Sequence, residues 1–142
     1  SASLVLPLLV FEIYHLSTYQ SLLRETKILL ENGDIVNAEK SIVLLTKTLN
    51  KTNFHKITFE KRRNSWEKNY LFDISNIYRE IARIELSNNN FRSNILNLKN
   101  AQKFYNNNAI RTDLIFGYYY LSKELFAQAT LNADSSLSSF CR

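Results

Sequence analysis

The chain predicts an all-α fold built from antiparallel helical hairpins, and three observations carry that reading. Only two glycines and one proline occur in 142 residues, too few of the residues on which tight β-turns depend. Apolar residues recur at steps of three and four over most of the length, the period of a helix with one buried face. Between those stretches stand short polar breaks, Asn32-Gly33-Asp34, Asn88-Asn89-Asn90 and Asn106-Asn107-Asn108, which suit inter-helix turns. At this length, with 45% hydrophobic residues, the chain supports one ordinary core. Residues 1–142 therefore read as a single domain.

The apolar run Leu4 to Val10 contains Pro7 and is far shorter than the roughly 20 residues of a bilayer span. It reads either as the stump of a signal or anchor segment or as an apolar helix lead-in. There is no methionine, and Ser1-Ala2-Ser3 resembles an expression scar or a cleaved end, so a processed chain or an excised piece of a longer protein is expected. From Phe11 to Glu31, Ile13, Leu16, Tyr19, Leu22, Leu23, Ile28, Leu29 and Leu30 mark the first helix. Gly33 suits the left-handed residue that ends a helix, and Asp34 suits the N-cap of the next. That helix runs through Ile35, Ala38, Ile42, Leu45 and Leu49, giving a hairpin over about 11–49.

An irregular connection or extra helix occupies about 50–70. Phe59, Trp66, Tyr70, Ile74, Ile77, Tyr78, Ile81, Ile84 and Leu86 mark a long helical stretch ending at Ser87, with a break expected near Asn69. Phe91 to Phe104, through Ile95, Leu98 and Ala101, closes a second hairpin over about 72–105. Asp113 to about Lys123 and Phe126 to about Phe140 read as a third hairpin over about 110–140.

Eighteen Lys and Arg against thirteen Asp and Glu leave a net charge of +5, a bias toward acidic partners. Most of the excess lies between Lys51 and Asn69, where six basic side chains face two acidic ones. Cys141 is the single cysteine, so neither an internal disulfide nor a cysteine-based metal site can form. The compartment stays open, with the lone cysteine leaning to an intracellular one. Asn50-Lys51-Thr52 matches a glycosylation sequon, which acquires meaning only in a secreted context. His15 and His55 lack metal-ligand spacing, and the two glycines are too far apart for a phosphate-cradling loop,. No catalytic residue, metal site or cofactor is expected.

The hairpins overlay on one another. Ile81-Ala82 and Phe116-Gly117 lie 35 residues apart, as do Phe91 and Phe126. A period near 34, with a small residue where the first helix approaches its neighbour and an aromatic seating the second, resembles the tetratricopeptide repeat. The last unit has Phe116-Gly117, Tyr120, Phe126, Ala129 and Ala133, and the middle unit has Tyr78, Ile81-Ala82, Phe91 and Ala101, with Asn94 where alanine is usual. The first has Leu22, Leu29, Gly33, Ile35, Ala38 and Ile42, departs at Glu25, and stands 56 residues before the second. The resemblance covers roughly residues 19 to 140 with one insertion of about 20 residues.

The resemblance implies a stacked α-solenoid and a non-catalytic protein-interaction or scaffolding role, with a peptide bound along the concave side. On the family's pattern the groove positions are Gln20, Leu23, Lys27 and Leu30, then Asn76, Arg79, Arg83 and Ser87, then Arg111, Leu114, Tyr118 and Ser122. Lys27, Asn76, Arg79, Arg83, Arg111 and Tyr118 are the expected partner-binding residues, a cationic floor for the carboxylates of an acidic peptide. Leu23 and Leu114 stand where the family's chaperone-binding members use lysines, which argues against a chaperone C-terminus as partner. Among the three consecutive tyrosines, Tyr120 is expected on the packing side, Tyr118 in the groove and Tyr119 near the outer face. The alternative is a nucleic-acid patch of Lys61, Arg62, Arg63 and Trp66, charge beside a stacking platform. A membrane contact is expected only through a missing N-terminal segment.

Overall fold

The computed structural model describes residues 2–51 and 60–141. Among them there are five helices, α1 (Ala2–Glu31), α2 (Ile35–Lys51), α3 (Glu60–Ser87), α4 (Phe91–Phe104) and α5 (Asn108–Phe140), and no strand. The all-α expectation holds. α1 and α2 form one hairpin, α3 and α4 a second, and α5 packs along α4.

The two hairpin turns are the same device. After α1, the N–H of Gly33 donates to Leu30 O at 3.0 Å and that of Asp34 to Leu29 O at 2.8 Å. After α3, Asn89 donates to Leu86 O at 3.1 Å and Asn90 to Glu85 O at 2.9 Å. This is the paired closure that needs a left-handed residue, supplied by Gly33 (φ 73°) and Asn89 (φ 62°). Asp34 then caps α2 by accepting from Asn37 N at 3.1 Å. The Asn37 side-chain amide and backbone N–H hold the Asp34 carboxyl below its ordinary range.

The expected third hairpin is corrected: α5 is one helix of 33 residues. Shifting the second turn by the 35-residue period places Glu124 and Leu125 where Asn89 and Asn90 stand. Glu124, at the position of Asn89, does not favour the left-handed conformation that the two real turns use, and both residues are good helix formers, so the helix continues. Two further boundaries differ. The connection expected at 50–70 is helical from Glu60, with no break at Asn69; its residues 52–59 lie outside the described residues. α1 begins at Ala2 and holds Pro7 within its second turn.

The core is a chain of contacts running from the first hairpin to α5. Tyr19, Ile42, Leu45, Ile74, Ile77 and Ile81 form one buried cluster between the hairpins, edged by Tyr70, Tyr78 and Phe104. Ala82, Ile95, Leu98, Ala101 and Ile110 are buried further along, where α3, α4 and α5 meet. Positions 56 and then 35 residues apart share their burial. Thr26, Ala82 and Gly117 are all buried, as are Tyr19, Ser75 and Ile110, and Ala38, Ile42 and Leu45 of α2 match Asn94, Leu98 and Ala101 of α4. Ser75 ties α3 to the end of α4 by donating to Ala101 O at 2.9 Å.

Tyr19 crosses from the first hairpin to the second. Its hydroxyl donates to Asp73 Oδ2 at 3.1 Å, and its ring lies 3.9 Å from that of Tyr70. Burial, reinforced by the Asp73 carboxylate, pushes the Tyr19 phenol well above the ordinary tyrosine range. A raised folded-state pKa favours the protonated form, so its contribution is present below about pH 10, where an unfolded tyrosine titrates, and is lost above it. A tyrosinate absorbance titration should therefore leave Tyr19 un-ionised until the protein unfolds in alkali. Tyr19→Phe should lose about 1 kcal/mol at pH 7 with the hydrogen bond yet resist alkali better; an alkaline midpoint identical to wild type would refute the assignment.

Candidate interaction surface

The cationic floor expected from the sequence does not form. Arg79 makes an ion pair with Asp113 of α5, and the Asp113 carboxylate raises its affinity for its proton. Arg83 pairs with Glu80 of its own helix. Arg111 donates to Asn106 Oδ1 at 3.2 Å in the turn before α5. Lys27 is exposed on α1 and Asn76 half-buried on α3, and neither hydrogen-bonds to the other expected groove residues. Because helical positions advance by about 100°, Tyr118 lies about 140° around α5 from the Asp113 that holds Arg79. Tyr118 and the two arginines therefore do not share a groove. Lys61, Arg62, Arg63 and Trp66 fall in the first two turns of α3, and their side chains lie outside the described residues.

The tyrosines divide by face. Tyr120 stacks on Phe91 at 5.8 Å between ring centroids, as expected of the packing side. Tyr118 is half exposed beside Lys99 of α4, whose ammonium stands 5.7 Å from its ring. Tyr119 faces outward near Lys123. Beneath them, Gly117 presses α5 against α4: a Cβ at this position would come within 2.5 Å of Asn94 Oδ1 and 3.1 Å of Ile95 Cγ1. The Asn94 amide donates to Ala82 O at 2.6 Å, while its Oδ1 has no hydrogen-bond partner. A pocket of about 200 Å³ opens beside it, lined in part by Asp113, Phe116 and Tyr120.

The largest feature is one the sequence reading missed. Ile110, Asp113, Gly117 and Tyr120 form the arc of α5 turned to α3 and α4. On the opposite arc, within about 80° by the helical period, lie Ile115, Tyr119, Phe126, Ala129, Ala133, Leu137 and Phe140. The large members are exposed by 69% at Ile115, 54% at Tyr119, 76% at Phe126, 65% at Leu137 and 94% at Phe140. From Leu125 to Cys141 every side chain is exposed. The cause is length, since α4 has 14 residues and α5 has 33, about 21 Å against 50 Å. Spacings of three, four and seven from Ile115 to Phe140 carried this second stripe in the sequence, but a turn placed at 124–125 divides it.

At the other end of the chain Leu6, Val10, Phe11, Ile13 and Tyr14 of α1 are exposed. Among the described residues no helix is long and apolar enough to cross a membrane, and no three His, Cys, Asp or Glu side chains gather in a way that would hold a metal ion. Comparison with family models, with curated proteins and with solved structures finds no match.

Proposed function

We propose that the protein is a non-catalytic protein-interaction module, a tetratricopeptide-like stack of helical hairpins that docks an apolar helix along the outward face of α5. The observation that carries this reading is the exposed stripe from Ile115 to Phe140. A projecting helix of about 16 residues is marginal in water without packing, and exposed apolar patches of this extent mark interaction surfaces. The solenoid half of the reading is supported by the shared burial of Thr26, Ala82 and Gly117 and of Tyr19, Ser75 and Ile110 about two turns before them,. The ion pairs of Arg79 and Arg83 favour this apolar face over a basic groove.

The test is capture of proteins from the source cells by immobilised full-length chain. Phe126→Asp with Leu137→Asp should lose the retained proteins, while circular dichroism still shows a predominantly helical chain. Charge reversal at Lys61, Arg62 and Arg63 should leave the same proteins bound. The opposite pattern, with retention of nucleic acid that falls steeply as salt rises, would replace this reading with the nucleic-acid alternative.

A further inference from the structure

The outward stripe of α5 has an order of sizes that points to one occupant. From Ser122 to Phe140 it runs Ser122, Phe126, Ala129, Ala133, Leu137, Phe140, small and large at one end, small in the middle, large at the other. Turned end for end about a dyad at the level of Leu131, the stripe fits itself. Phe140 comes to lie over Ser122, Ala133 over Ala129, and Leu137 beside Phe126. Two alanines at the crossing let the helix axes approach, and the phenylalanines fill the ends. We infer that this face binds a second copy of the chain, α5 against α5, in an antiparallel pair.

Symmetry makes this economical, because an isologous two-fold interface requires one patch that complements itself. A parallel pairing sets Phe126 against Phe126 and the alanines against each other, leaving gaps beside collisions. Electrostatics do not oppose the close approach, since Asp134 is the single charged residue between Leu125 and Phe140. Nor is the area too small. Covering Phe126, Leu137, Phe140 and the two alanines removes roughly 500 Å² per copy from water, about 1,000 Å² for the pair, where specific interfaces begin. An interface of that size gives a reversible, concentration-dependent dimer. Dimerisation also supplies the partner that the projecting half of α5 lacks, so its helicity depends on assembly.

This inference rests on the apolar face of α5 being a docking surface, and the experiments separate the two. Sedimentation of the purified 142-residue chain across a concentration series should show a monomer–dimer equilibrium. Phe126→Asp with Leu137→Asp should abolish it and lower the helical signal per residue. For orientation, Cys141→Ser removes the native thiol. In that background chains carrying Ala129→Cys mixed with chains carrying Ala133→Cys should form mixed disulfides on mild oxidation. Ser122→Cys should not cross-link to itself, because an antiparallel pair holds those residues about 27 Å apart along the axis. Ready cross-linking of Ser122→Cys to itself would overturn the antiparallel arrangement. A chain that stays monomeric at several hundred micromolar, or a dimer indifferent to the aspartate pair, would overturn self-association. In the monomeric case, cellular proteins still lost with the aspartate pair would leave the docking surface standing with a different occupant.

Discussion

Gly117→Ala is expected to destabilise the protein by about 1–2 kcal/mol, and the sign of its effect should reverse when Asn94 is also replaced by alanine. Two terms compete. Alanine in a helix interior gains about 1 kcal/mol over glycine, while a Cβ forced into an occupied site costs about 1–3 kcal/mol. Here the site is occupied by the Asn94 carboxamide, whose Oδ1 would be 2.5 Å away. The amide is buried and fixed through its bond to Ala82 O, so it cannot swing aside without breaking that bond, and the steric cost wins. Asn94→Ala empties the site: it deletes a buried oxygen that has no partner and costs about 1 kcal/mol through the lost bond to Ala82 O,. Gly117→Ala in that background should then stabilise by up to about 1 kcal/mol. Urea midpoints of the four proteins measure the coupling, and purely additive effects would show that α5 does not seat on Asn94.

The same pair explains part of what the sequence could tell. Asn94 is a departure from the repeat pattern and Gly117 an agreement with it, and each makes sense only beside the other: the missing side chain of one holds the larger side chain of the other. Turns were legible at Gly33 and around Asn88–Asn90 because left-handed backbone leaves a residue-type signature. The continuity of α5 was obscured because the aromatic period from Phe91 to Phe126 implies a turn that Glu124 does not favour. Surface charge was least legible. Whether Arg79 points to a ligand or to Asp113 depends on how α5 is rotated against α3, and helical spacing within α3 holds no information about that rotation. The second stripe on α5 follows the same rule: spacing marks an apolar face, and only the lengths of α4 and α5 decide whether a neighbour covers it.

Leu45→Ala should give the largest single loss, about 2–5 kcal/mol for a fully buried leucine, and the way the loss is distributed tests the stacking of the hairpins. Leu45 is on α2, wholly buried in the cluster that joins the first hairpin to Ile74, Ile77 and Ile81 of α3. A second set of buried residues, Ile95, Leu98, Ala101 and Ile110, lies where α3, α4 and α5 meet, away from the main contacts of α1 and α2. In a stack, each unit is held by its nearest neighbours, and local loss spreads only as far as the interfaces are coupled. Hydrogen exchange on Leu45→Ala should therefore show protection lost first in α1 and α2, with α4 and the first four turns of α5 exchanging near the wild-type rate. Leu98→Ala should do the converse, releasing α5 while amides around Tyr19 and Ile42 stay protected. A uniform fall in protection for both variants would mean a single cooperative core. In that case the equivalence of Thr26, Ala82 and Gly117 would be a resemblance of pattern without the modular energetics of a repeat.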